Sequence, residues 1–284
     1  MAKRIGVIFS IAQNGIKKWL TNPRIYLIAV LLIAYFHSRI SPLYLFCEHY
    51  GTKISPYLFP YFMSDDHVVL IASLGALLLF CDAPFIDSEQ PYIVLRSGRK
   101  KWVAGQIAYI AISSALFTLF LYLLTLLLLL PWLEFSTEWG KAIGTLAQTT
   151  TGYDLGITIT FDRYIFFGYS PISATLLSLL LCFSVVFFLG MLMFYLNLRI
   201  NRMVGTIAGA LLILWQLVIR KTATALIRYS PISWMKLGQI DMNGTTVYPN
   251  LAYVLIALYA MIVLFAVLSV LCMRKKDIDV LKSV

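Results

Sequence analysis

One short stretch gathers the side chains best suited to recognition: Asp87, Ser88 and Glu89, then Pro91 and Tyr92, then Arg96, Arg99, Lys100 and Lys101. Their spacing fits helix-end chemistry and electrostatic docking, not bond making. Asp87 or Ser88 caps a helix by accepting its first free N–H groups, and Pro91 fits an early helical position that needs no N–H. Asp87 and Glu89 also suit the positive N-terminal end of that helix. Gly98 closes it, Arg99, Lys100 and Lys101 follow beside a membrane, and Trp102 is expected to anchor the exit at the interface. Two readings stay open. Either the stretch is a basic loop that only fixes topology, or it is a rigid helix on which a soluble subunit docks. An acidic cap, an apolar turn and a basic exit in one segment exceed what topology requires, which favours docking.

Other constellations are missing from the sequence. No Gly-rich phosphate loop followed by Lys-Ser or Lys-Thr occurs, so ATP is not expected to bind this chain in the P-loop manner. The 3 His residues lack partners at metal-ligand spacing, and there is no His-Glu-x-x-His, no Gly-x-Ser-x-Gly and no paired intramembrane carboxylate. The expectation is a chain that is not an enzyme and holds no cofactor or metal of its own. Cys81, Cys182 and Cys272 fall in apolar stretches and Cys47 in a predicted loop, so no disulfide framework is indicated.

The elements around the recognition stretch follow from composition. Hydrophobic residues make up 60% of the 284 and charged residues only 13%, where a soluble domain has roughly 25% charged. Six apolar stretches read as spans: Ile25 to Phe36, Val68 to Phe85, Ala104 to Leu133, Ile172 to Leu198, Val204 to Ile219 and Leu251 to Met273. With the N-terminus inside, the inner segments hold 15 of the 23 Lys and Arg residues and 5 of the 13 acids; the outer segments hold 8 of each. Basic residues in short loops orient such proteins with that side cytoplasmic. The second and fifth stretches are at or below crossing length. Deleting both leaves 11 basic residues inside and 12 outside, so the asymmetry favours six spans. The net charge of +10, split among short loops, fits anionic lipid headgroups and not nucleic acid.

Residues 1–22 form an amphipathic segment without a cleavable signal core. Ile5, Ile8, Phe9, Ala12, Ile16, Trp19 and Leu20 share one face, opposite Lys3, Asn14 and Lys17. Such a helix is expected to lie in the inner interface with Trp19 at headgroup depth. Ser38 to Asp66 is predicted as a proline-containing outer loop, and Tyr57, Tyr61, Phe62, Tyr164, Phe166 and Phe167 as a membrane belt or exit surface. Residues 134–171 and 220–250 are the outer segments, the first with a strand-like run from Ile157 to Phe167. Gly205 and Gly209 make a small-residue face, which serves packing within one subunit or a seam between two; Gly75 carries the same ambiguity. Trp215 and Gln216 either anchor a span end or line a pathway. Asp82, near an inner boundary, is expected to snorkel or to pair with a nearby Arg or Lys.

The layout, together with Asp82-Ala-Pro-Phe-Ile-Asp-Ser-Glu-Gln-Pro-Tyr92 through Arg96-Ser-Gly-Arg-Lys-Lys-Trp102 and Tyr229-Ser-Pro-Ile-Ser-Trp234, resembles the permease of a type-2 ATP-binding-cassette exporter, of the small six-span kind from Gram-positive bacteria. The resemblance implies an all-α, multi-pass cell-membrane protein, residues 1–284 forming one permease domain with both termini cytoplasmic. It implies a connecting helix carrying Lys3, Arg4, Lys17 and Lys18, and a coupling helix within residues 86–103. It also implies two partner ATPase subunits that bring ATP and Mg, and a second permease, identical or homologous. The scarcity of charge in the spans favours a hydrophobic or amphipathic cargo, such as an antimicrobial peptide, a lipid-like molecule or a drug. The rival readings are a peptide-binding immunity or sensor protein that transports nothing, and an ion-coupled secondary carrier. The carrier is disfavoured because ionisable groups near mid-membrane are scarce.

Overall fold

The computed structural model describes residues 2–83, 90–222, 224–241, 244 and 246–275. Twelve α-helices order this part of the chain: α1 (Ala2–Lys17), α2 (Pro23–Tyr50), α3 (Phe59–Phe62), α4 (Asp66–Phe80), α5 (Gln90–Ser97), α6 (Arg99–Leu129), α7 (Gly140–Gln148), α8 (Thr151–Asp154), α9 (Arg163–Gly168), α10 (Pro171–Arg199), α11 (Arg202–Thr222) and α12 (Leu251–Lys275). Among the described residues there is no strand, only isolated bridges at Ile54–Leu133 and Asp241–Asn250.

Four helices, α2, α6, α10 and α12, are long and apolar enough to cross a membrane. The shorter apolar helices are α4 and the stretch Met203–Ile219 of α11, the second and fifth of the six expected spans. At 1.5 Å per residue the 15 residues of α4 reach about 22 Å, less than the roughly 30 Å of a bilayer core. Both short helices nevertheless run between the same two ends of the bundle. One end carries Arg24, Arg99 and Arg274 and is called here the basic end; Asp82, just past α4, bonds Arg24 there. At the opposite end Asp65 caps α4 through the N–H groups of His67 and Val68. For α11, Gly205 lies against Asn197 at the basic end, while the segment that follows α11 places Lys236 on Asp66 at the other.

The centre of the bundle is α10, which packs against α4, α6, α11 and α12. It is apolar around its whole circumference, the pattern of a helix enclosed by neighbours. Ser170 caps it and Pro171 begins it. Gly190 admits Ile110 of α6 and Phe80 of α4 into the space a side chain would fill. By contrast, α2 and α12 leave large apolar side chains exposed, among them Leu27, Val30, Leu31, Ile256, Val263 and Leu264.

Several sequence expectations are corrected. The first span does not give way to a loop at Ser38: α2 continues through Pro42 to Gly51, whose φ of 58 ends it. Buried Leu32, Phe36, Ile40, Leu43, Phe46 and Cys47 recur every three or four residues, so packing outweighs the helix penalty of about 3 kcal/mol for an interior proline. Tyr61 and Phe62 belong to no exposed belt. Both are buried, Tyr61 beside Trp139 and Phe161, Phe62 edge-on to Phe36. Phe167 stays exposed. The strand-like run from Ile157 is irregular up to Asp162, which caps α9. Trp102 is wholly buried, near Phe194 of α10, and is no interface anchor. The face of α1 does not only meet lipid: Ile11 and Ala12 are buried, Ile11 fits Gly105 of α6, and Gly15 fits Tyr109.

Small residues therefore set the helix separations. Gly190→Val would drive its branches into Ile110 and Phe80, and overpacking of this kind costs about 1–3 kcal/mol. A lowered unfolding midpoint in detergent, with helical content intact before the transition, is the expected result.

Candidate functional site

The recognition stretch is built from the end of α4, the helix α5 and the start of α6. Asp87, Ser88 and Glu89 lie outside the described residues, so their capping role is an expectation only. Pro91 takes the second position of α5; its side chain is also outside the described set. The described α5 turns Val94 inward, fully buried, and leaves Tyr92 75% exposed and Leu95 64% exposed, with Arg96 beside them. Ser97 Oγ donates to Ile93 O at 2.6 Å, satisfying a carbonyl of the short helix.

Gly98 is the joint. Its φ of 83 and ψ of 146 lie where only glycine is at ease, and no atom crowds its missing Cβ, so the backbone alone demands glycine. Its N–H donates to Val94 O at 2.8 Å, and its carbonyl accepts from Trp102 N–H at 3.1 Å. α5 therefore ends, and α6 begins, on one residue. Four residues on, the buried Trp102 fixes the first turn of α6 in the core. Lys100 and Lys101 are exposed. Arg99 reaches across to donate to Arg274 O at 2.9 Å near the C-terminal end of α12, where carbonyls and dipole favour a cation.

On the other side of the stretch, the end of α4 is clamped twice. Arg24, in the first turn of α2, pairs with Asp82 and donates to Cys81 Sγ at 3.4 Å. Asn197 of α10 donates through Nδ2 to Ala83 O at 2.6 Å and to Cys81 O at 3.2 Å. Those carbonyls lie past the last turn of α4, where no helical N–H returns to them. Asn197 is buried and Gly205 packs on it from α11, so the clamp needs glycine there. Hence α5 is slung between two anchored points, the α4 end and Trp102.

The segment expected to be the connecting helix is helical, as α1. Lys17 is exposed and Lys18 half-buried, while the side chains of Lys3 and Arg4 are outside the described set. Trp19 donates its indole N–H to Tyr109 Oη at 2.9 Å, so the turn after α1 is bonded to α6. The structure brings Arg96, Arg99, Lys100 and Lys101 together but does not join them to Gly75, Gly205, Gly209, Trp215 or Gln216. Gly205 and Gly209 face α10 and α4 within this chain, against Asn197, Met193 and Leu77. Gly75 faces Phe117, Leu32 and Ile28. Trp215 is partly exposed, and Gln216 is buried with its amide unpartnered.

Sequence reasoning passed over Asn197 as the clamp, although a lone amide in an apolar span has to find partners. Arg24 was not matched to Asp82 either, because the two are joined only by the fold. At the opposite end burial raises the phenol of Tyr169, pushed up to about 12, with Tyr164 and Asp241 adding to the shift. Burial and Asp162 raise Tyr61 further still. Both stay protonated at neutral pH and offer no base. Among the described residues, no group of three His, Cys, Asp or Glu side chains is placed to hold a metal ion. Compared with models of protein families, with characterised proteins and with solved structures, the chain gave no match.

The two clamps differ in worth. The Arg24–Asp82 pair has side chains 52% and 30% exposed, and pairs at such sites contribute about 0.2–1 kcal/mol. Asn197→Ala strands buried carbonyls at a cost of about 1–3 kcal/mol. Thermal unfolding of Asn197→Ala and Asp82→Asn should show the larger loss for Asn197, and equal losses would contradict the clamp.

Proposed function

We propose that this chain is the membrane-spanning permease subunit of an ATP-binding-cassette exporter, energised by a separate ATPase. α5 is the coupling helix and α1 the connecting helix. Six helices cross the membrane, α4 and α11 among them, with both termini and the basic end on the cytoplasmic side of the cell membrane. The lengths of α4 and α11 require local bilayer thinning or flanking residues that reach the interface. Their runs between the same two ends of the bundle support this topology, as does the charge asymmetry that a four-span arrangement loses.

One observation carries the reading: a short helix at the basic end exposes an aromatic and an aliphatic side chain beside Arg96 while its anchors are buried. Tyr92 and Leu95 are the kind of residues that form the centre of a protein interface, and basic neighbours select an acidic partner surface. The anchoring explains how a push on α5 would travel. Closure of two ATPase subunits on bound ATP and Mg would move α5, and the joint at Gly98 and the clamp at Ala83 would pass that motion to α6 and α4. A second permease, identical or homologous, completes the pathway. Beyond Lys101 in α6, before Arg199 in α10 and before Arg274 in α12, no Asp, Glu, Lys, Arg or His occurs. Fixed charges are thus scarce along the long helices, which suits a hydrophobic or amphipathic cargo and disfavours an ion-coupled carrier.

Co-expression with each ATP-binding-cassette ATPase encoded in the same genome is the decisive test. The ATPase should co-purify with the wild-type chain. Tyr92→Ala together with Leu95→Ala should reduce its recovery at least about tenfold, since two hot-spot residues at more than 1 kcal/mol each exceed that factor. Arg96→Gln or Glu89→Gln should leave an assembled complex whose ATP hydrolysis no longer drives transport. Failure to recruit any ATPase would favour a peptide-binding immunity or sensor protein instead.

A further inference from the structure

We infer that a polar cavity at the end opposite the basic end binds an α-ammonium group together with its adjacent acyl oxygen. A free amino acid or the N-terminus of a peptide presents that pair. The cavity has a volume of about 450 Å³, within the roughly 300–1,000 Å³ of small-molecule sites. Four parts of the chain meet there: Arg39 of α2, the start of α4, the irregular run from Thr158 to Asp162, and the segment before α12 at Gln239 and Tyr248. The cavity belongs to this chain alone, so the inference holds whether or not an ATPase is recruited.

Bonds already made hold the walls. Arg39 Nη2 donates to Asp65 Oδ2 at 2.7 Å and to Thr158 O at 3.4 Å. Asp66 pairs with Lys236, and Asp162 Oδ1 caps α9 by accepting Tyr164 N–H at 2.8 Å. These contacts tie the four parts together, so the polar atoms left over are preorganised.

Unused hydrogen-bond capacity, not net charge, selects the occupant. A guanidinium carries donors on all three nitrogens. Nη2 spends its two, which leaves those of Nε and Nη1, and Nε is buried without a partner. Two acceptors are open as well. Asp162 Oδ2 makes no bond among the described residues and is lodged against Gly238, 2.7 Å from where a Cβ would stand, so only glycine leaves room for it. Gln239 Oε1 is buried and unpartnered. Buried donors and acceptors left unbonded cost free energy. An ammonium donates to the two acceptors while an acyl oxygen accepts from the guanidinium, so one α-amino-acyl group matches both sets. A metal ion does not match, since among the described residues no three His, Cys, Asp or Glu side chains are placed to hold one. A neutral polyol lacks an ionised donor for Asp162 and forms the weaker bond. Hydrocarbon would leave every polar wall unpaired.

The unfolding midpoint of the purified full-length chain in detergent tests the site. The probes are the standard amino acids, their carboxamides, the N-acetyl form of each carboxamide, and glucose. At least one amino acid or carboxamide should raise the midpoint saturably, and its N-acetyl form should not. Binding by carboxamides alone assigns the site to a peptide N-terminus, and binding by the free acids assigns it to an amino acid. Asp162→Asn keeps a side chain that caps α9 equally well, so the ligand-free midpoint should stay near wild type. Its Kd should rise at least about tenfold, the loss expected for a bond to a charged group. Gln239→Leu removes the second acceptor and should weaken binding by a similar factor; it decides the matter if the Asn variant does not fold. No shift from any amino acid or carboxamide in the wild type would overturn the proposal. So would an N-acetyl form that binds as well as its parent, glucose binding in place of the amino compounds, or an unchanged Kd in either folded variant.

Discussion

Two neighbouring carboxylates, Asp65 and Asp66, hold together the end of the molecule opposite the basic end. Asp65 accepts two N–H groups at the start of α4 through one oxygen and Arg39 of α2 through the other, at 2.7 Å. Asp66 pairs with Lys236, whose side chain is only 2% exposed, so the long segment between α11 and α12 folds back onto α4. A buried ion pair adds little net stability, but losing one partner leaves an uncompensated charge at about 3–5 kcal/mol. Such a pair specifies arrangement more than it stabilises. Because both acids start α4, they also fix where that helix begins, and Arg24 with Asn197 fixes where it ends. A helix pinned at both ends can move only as a body.

Packing does the remaining work through small residues. Apolar helices gain no hydrophobic advantage from one another in lipid, so close approach and van der Waals contact must hold them. Gly15 and Gly105 let α1 onto α6, Gly190 lets α6 and α4 onto α10, and Gly205 and Gly209 let α11 onto α10 and α4. With those faces used inside the chain, the exposed apolar side chains of α11 lie on its other side, at Met203, Ile207, Leu211, Leu214 and Val218.

Legibility in the sequence followed physical range. The recognition stretch was readable because its signals are local: Gly98 was expected to end a helix and sits at a positive φ between α5 and α6. The expected pairing of Asp82 with a cation is met by Arg24, although the partner was not identifiable. Pro42 misled because a local breaker was overruled by seven buried residues on the same helix. Tyr61, Phe62 and Trp102 misled for a related reason. An aromatic near a span end reads as an interface anchor, yet these three are covered by Trp139, Phe36 and Phe194, which come from other elements.

The sequence by itself determined the class of the molecule, its all-helical character, the long apolar helices and the short helix closed by Gly98. All of these depend on composition, periodicity and residues within a turn of each other. Only the tertiary structure decided which side chains became anchors. Asn197 on the carbonyls of Cys81 and Ala83, Trp19 on Tyr109, Lys236 on Asp66 and Arg99 on Arg274 join residues 90 to 175 positions apart. No periodicity encodes such pairs, because each depends on helices being brought into contact by glycines whose partners lie elsewhere in the chain.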